Sequence, residues 1–139
     1  MMVAKHGRTQ DCGVVEARVR VAQARKFLET AELILDVDDD LATPGVAAAL
    51  AVLSGVAASD ALCCRSLGQR SRGQDHREAV ALLAQVGPDG RALSRALARL
   101  LDVEDGAQYG LVFLGTTRAK AAVKNAAVLT EAAENALRG

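Results

Sequence analysis

Arg70, Arg72 and His76 fall within seven residues of one another. Two guanidiniums and an imidazole beside a helix start could hold a phosphate against free backbone N–H groups and set a titratable group near its ester bond. The same residues also read as a solvated basic loop, because exposed Arg and His are ordinary. Arg91, Arg95 and Arg99 repeat every four residues, which lines three guanidiniums along one helix face, where they could track phosphates or simply meet water. Asp60 lies inside the most apolar stretch, 46–64, where an unpaired carboxylate is expensive. It needs a partner, and Arg65 or a base on the last helix is expected to supply one. Cys63, Cys64 and His76 are potential zinc ligands. Consecutive helical residues point about 100° apart, however, and a fourth ligand is missing, so neither a metal site nor a cofactor is expected. The chain contains no phosphate-cradling Gly-rich loop, no His-Glu-x-x-His, no Cys-x-x-Cys and no Gly-x-Ser-x-Gly.

These residues must be positioned by helices. A chain of 139 residues with 28 Ala, 2% aromatic residues and two Pro has a helix former's composition and the length of one domain. Residues 1–12 carry mixed charge without periodicity and read as a flexible leader to a single domain at 13–139. Val14, Ala17, Val21, Ala24, Leu28, Ala31 and Leu35 form one stripe of a first helix over 14–37, which the acidic run to Asp40 ends as a solvated linker. Thr43 as N-cap and Pro44 behind it open a second helix, apolar nearly all round and therefore central, with Gly68 as its C-cap. Asp75 and Glu78 start a third, and Gly87-Pro88-Asp89-Gly90 breaks it. A fourth spans 91–103, a connection covers 104–115, and the last starts at Thr116 or Thr117. The expected fold is all-α, an antiparallel up-and-down bundle of four to five helices.

Seventeen basic and seventeen acidic residues give no net charge, so attraction to nucleic acid or membrane would need a local patch. The first thirteen residues lack a secretory apolar core, and stretch 46–64 is broken by Ser54, Ser59 and Asp60, which suits a buried core helix rather than a membrane span. With three Cys that do not look like a stapling framework, reduced thiols and a cytoplasmic location are expected.

The run Ala-Arg-Lys-Phe-Leu-Glu-Thr-Ala at 24–31, the Ala-rich helix at 46–64, Gly-Gln-Asp-His-Arg-Glu-Ala-Val at 73–80 and Gly-Ala-Gln-Tyr at 106–109 resemble, in order and spacing, a HEPN domain. This is a small helical-bundle family associated with prokaryotic nucleotidyltransferase-linked toxins and RNA-processing systems. The resemblance covers about residues 14–137. Its catalytic members are metal-independent endoribonucleases in which a His moves a proton and an Arg steadies phosphate charge. Arg70 and His76 satisfy a loose version of that pair. Where the family places Arg-Asn-x-x-x-His, this chain reads Glu104, Asp105 and Tyr109 in place of Arg, Asn and His. Two acids there would repel a phosphate, and a phenol is a poor base at neutral pH. The resemblance therefore implies a module that binds RNA, a nucleotide or a protein partner of nucleotidyltransferase type without cleaving. A homodimer pairing long helices is expected with it. The alternatives are an endoribonuclease using Arg70 or Arg72 with His76, and a plain helical dimerisation module.

Overall fold

The computed structural model describes residues 8–37, 40–72, 75–108 and 114–138, the side chains of 104–108 excepted. In these residues the chain forms β1 (Thr9–Asp11), α1 (Val14–Val37), α2 (Thr43–Leu67), β2 (Gln69–Ser71), α3 (His76–Leu83), α4 (Gly90–Gln108) and α5 (Thr116–Arg138). The protein is an all-α bundle with one small two-stranded clasp.

α2 is the axis. It packs against α1, α3, α4 and α5, while α1 and α4 flank the α2–α5 pair. Among the described residues fourteen of the buried apolar side chains are Ala, ten of them on α2 and α5 flanked by Ala17, Ala24 and Ala31 of α1, so helix backbones can approach closely. Gly55 takes this furthest, because a Cβ there would sit 2.3 Å from Leu100 Cδ1 of α4 and 3.3 Å from Leu129 Cδ1 of α5. Bulk is supplied instead by Leu28, Leu83, Leu97, Leu100 and Leu129, all essentially inaccessible. α2 has the length and hydropathy of a membrane-crossing helix, yet 72% of its apolar window is buried inside the bundle. The polar groups in its wall are satisfied within the protein. Ser54 Oγ donates to Ala24 O at 2.8 Å and lies 3.0 Å from Thr130 Oγ1, a buried link between α1, α2 and α5.

α1 keeps the boundaries its stripe implies, with Ala17, Ala24, Leu28 and Ala31 buried. Gly68 ends α2 in the left-handed region at φ 74°. Asp75 caps α3 by accepting from the Arg77 N–H. Three local expectations are corrected. Ala42, not Thr43, is the N-cap of α2: Asp40 closes the preceding turn, accepting the Ala42 N–H on Oδ1 and the Thr43 N–H on its carbonyl, which leaves Thr43 buried in the first turn. α4 runs on through Gln108 instead of ending at Val103, since this stretch contains no Pro and a single Gly in a helix costs only about 1 kcal/mol. Residues 9–12 are not a loose leader. β1 pairs antiparallel with β2, Gln10 opposite Arg70, and the Cys12 N–H donates to Gly68 O at 2.9 Å.

The expectation of three reduced thiols is corrected as well. Cys12 and Cys64 form a disulfide with Cα atoms 5.1 Å apart, tying the clasp to the last turns of α2, and Cys63 alone is free and buried. The spacing of Cys residues gave no sign of this, because partners 52 positions apart meet only through β1–β2 pairing. The disulfide removes the thiol-based support for a reducing compartment.

An Arg–carboxylate fork joins α1 to α5. Arg25 Nε and Nη2 donate to Glu134 Oε2 and Oε1 at 2.8 and 2.6 Å. That hydrogen-bonded guanidinium holds the Glu134 carboxyl below its ordinary value of 4.5. Glu134→Gln should cost about 0.5–1 kcal/mol near neutrality, the range for a part-exposed pair of good geometry. A carboxylate with a depressed folded-state pKa stabilises above 4.5 and loses that contribution as pH falls through the folded value. The gap in thermal midpoint between wild type and Glu134→Gln should accordingly close as the pH is lowered from 7 to about 3. Cross-linking positions 52 apart restricts the unfolded chain by an amount corresponding to about 4 kcal/mol in the loop-entropy description. Cys12→Ser, or reduction of wild type, should lower stability in urea titrations by about 2–4 kcal/mol, and reductant should leave Cys12→Ser unaffected.

Candidate functional site

The strongest charged constellation lies where α1, the C-terminal half of α2 and β2 meet. Asp60 is 7% exposed, in a helix wall otherwise lined with Ala, Leu and Cys. Its Oδ2 accepts from Arg20 Nε at 3.1 Å, Arg20 Nη2 at 2.9 Å and Arg70 Nη1 at 3.2 Å. Each guanidinium is held from behind: Arg20 Nη1 donates to Gln23 Oε1 at 2.7 Å, and Arg70 Nη2 to Gln10 Oε1 at 3.1 Å. β1–β2 pairing sets that second contact, since Gln10 and Arg70 are register partners. Burial pushes the Asp60 carboxyl above its ordinary value, with the charges and hydrogen bonds of Arg20 and Arg70 opposing.

The partner expected for Asp60 is thus corrected. Arg65 is exposed and no base of α5 reaches the carboxylate; Arg20 and Arg70 do. Arg20 sits three residues after Ala17 and four before Ala24, on the buried stripe of α1, and a base at that spacing was the available signal. Gln10 had none, as its position depends on strand pairing between distant segments. Below Asp60, burial pushes the Cys63 thiol up to about 12, the Asp60 charge adding to it, so Cys63 is an inert core side chain and no thiolate. Among the described residues no group of three or more His, Cys, Asp and Glu is arranged to hold a metal.

Arg70, Arg72 and His76 do not act as one set. Arg70 is committed to Asp60 and Gln10. Arg72 is exposed and its backbone N–H donates to Arg8 O at 2.7 Å, while His76 is half-buried at the first position of α3. Glu78 does not close a capping box with Asp75; its Oε1 receives the Arg8 N–H at 3.4 Å, fastening the start of the described chain to α3. Arg91, Arg95 and Arg99 all emerge exposed on α4 and make no ion pair with any described residue. Four helical residues rise about 6 Å, so the three cations form a row about 12 Å long. Glu104 and Asp105 lie on the backbone of α4, and Tyr109 lies outside the described residues.

A shallow cleft of about 400 Å³ opens between α1 and α5, lined by Arg18, Val21, Glu134, Leu137 and Arg138. No protein-family model matches the chain, and no curated protein matches it either.

Removing the Asp60 carboxylate leaves two guanidiniums, each about a third exposed, facing an apolar helix wall. Asp60→Ala should destabilise by about 2–4 kcal/mol in urea titrations, toward the lower end of the range for broken buried pairs. Arg70→Ala should cost about 1 kcal/mol, because Arg20 still neutralises the carboxylate.

Proposed function

We propose that the protein is a HEPN-like, non-catalytic module that binds single-stranded RNA through its phosphates, with Arg91, Arg95 and Arg99 of α4 as the main contact and the exposed Arg72 as a second. One observation carries this reading: the Arg row of α4 is exposed and makes no ion pair with any described residue, while Arg20, Arg25 and Arg70 are bound to carboxylates. In a chain without net charge, an exposed row of cations is a local positive strip, and such a strip attracts a polyanion without reading its sequence. The tie between Arg70 and Asp60 also speaks against the endoribonuclease alternative. An Arg that must steady developing phosphate charge has to be free to meet it, and this one would first have to leave a buried carboxylate. A nucleotidyltransferase-type partner would be compatible with the same module, with the HEPN resemblance as its ground.

The test is fluorescence anisotropy with a mixed-sequence single-stranded RNA between about 50 and 200 mM salt. Losing three phosphate contacts should flatten the salt dependence of binding by about two in log–log slope, so the Arg91→Gln/Arg95→Gln/Arg99→Gln variant should bind more weakly and respond less to salt. Equal affinity and slope in the variant, or no binding by wild type at low salt, would overturn the reading. RNA incubated in EDTA should remain intact with both wild type and His76→Ala; cleavage by wild type that His76→Ala loses would make the protein a ribonuclease instead.

A further inference from the structure

β1 is held by bonds rather than by burial. Thr9, Gln10 and Asp11 are all exposed, and the element they pack on is β2. Gln10 pairs with Arg70, and the ladder is extended at its ends by the Cys12 N–H to Gly68 O at 2.9 Å and the Arg72 N–H to Arg8 O at 2.7 Å. Side chains add the Arg70 Nη2 contact to Gln10 Oε1 at 3.1 Å and the 3.4 Å reach of the Arg8 N–H to Glu78 Oε1. A two-stranded pair this small is marginal in water, and here the strands are joined by the whole of α1 and α2 instead of a tight turn. The covalent Cys12–Cys64 link therefore decides whether the clasp stays closed.

The two halves of that link differ in access. Cys64 is 3% exposed in the wall of α2, whereas Cys12, between β1 and α1, is partly exposed. Thiol–disulfide exchange begins with a thiolate attacking one sulfur while the other leaves, so a thiolate arriving from solvent meets Cys12 first. Cys63 does not compete, since it is buried and its thiol is pushed up to about 12. The helices do not need β1 for their own packing: α1 lies along α2 and α5, and α4 lies along the same pair. Opening of the clasp is accordingly local.

We propose that Cys12 is a thiol-exchange site, and that its modification by a low-molecular-weight thiol opens the β1–β2 clasp while the helical bundle stays folded. The thiolate of the incoming molecule attacks Cys12 Sγ. The bond to Cys64 breaks, a bond between Cys12 and the incoming sulfur forms, and Cys64 leaves as a thiolate that takes a proton from water. The protein gains one whole thiol molecule, and no oxidant is consumed. A second thiol molecule that attacks the sulfur of the adduct departs with it as a disulfide, leaving Cys12 and Cys64 both as thiols. Residues 8–12, once released, carry Gln10 away from Arg70, and the outer edge of the Asp60 pair opens to water. The inference rests on the disulfide and the strand pairing and is independent of RNA binding.

The test exposes the full chain, purified without reductant, to millimolar reduced glutathione and blocks free thiols at short times. Mass spectrometry should show one glutathione added, carried after tryptic digestion by peptide 9–18, which holds Cys12, and not by peptide 27–65, which holds Cys63 and Cys64. In the treated protein the amides of Cys12 and Arg72 should exchange with solvent about ten-fold or more faster than in the untreated one, while the amides around Ser54 and the far-UV signal are unchanged. Cys63→Ser should react as wild type does. Cys12→Ser should take no adduct and should exchange the amides at positions 12 and 72 fast with or without glutathione. An adduct on Cys63 or Cys64, reaction only after the helices are unfolded in urea, or a ladder that keeps its protection in treated wild type overturns the proposal. So does loss of the helical signal together with the ladder, because the bond would then staple the whole bundle.

Discussion

A carboxylate in the wall of an apolar helix must be neutralised or the helix cannot be buried there, and the arrangement around Asp60 follows from that need. α2 is central because it is apolar nearly all round, and Asp60 is the charged group on its buried face. The two cations that answer it come from segments with little else in common: Arg20 from the stripe of α1, and Arg70 from a three-residue strand. Placing Arg70 requires β2 to be held, and β2 is held by β1, the Gln10 contact and the Cys12–Cys64 bond. One buried charge thereby accounts for an ordered N-terminal segment in a chain whose composition calls for helices alone.

The core reaches close packing by a route suited to that composition. With only three aromatic residues in the chain, volume cannot come from large rings, so the helices move together instead. Ala at the contact positions of α1, α2 and α5 permits the approach, and Gly55 admits Leu100 and Leu129 where even a methyl group would collide. Close approach has a second effect. It brings Ser54 within reach of both Ala24 O and Thr130 Oγ1, so a hydroxyl in the centre of the bundle is satisfied without water.

Periodicity made most of the fold legible. The stripe from Ala17 to Ala31 marked α1 because burial follows a 3.6-residue period that depends only on neighbours in sequence. Gly68 and Asp75 marked a helix end and a helix start because capping is local chemistry. The elements that escaped were those made by partners far apart in the chain. β1 is three residues of mixed polarity whose strand character exists only opposite β2, and the Cys12–Cys64 bond depends on that pairing. The site divides the same way. That Asp60 needed a cation followed from sequence, whereas the choice of Arg20 and Arg70 over Arg65 is tertiary: Arg65, five residues along the same helix as Asp60, is turned to solvent.

Charge balance in this protein is a matter of allocation. Seventeen bases meet seventeen acids in number, but not in space. Arg20 and Arg70 are spent on Asp60, and Arg25 on Glu134, each where a buried or half-buried carboxylate must be matched for the helices to pack. Among the described residues, exposed bases recur on α4 at Arg91, Arg95 and Arg99 and on α5 at Arg118, Lys120 and Lys124, while exposed acids recur in the second half of α1 at Glu29, Glu32 and Asp36. Composition alone could not reveal this allocation, because it arises when the core selects which charges it uses and leaves the remainder at the surface.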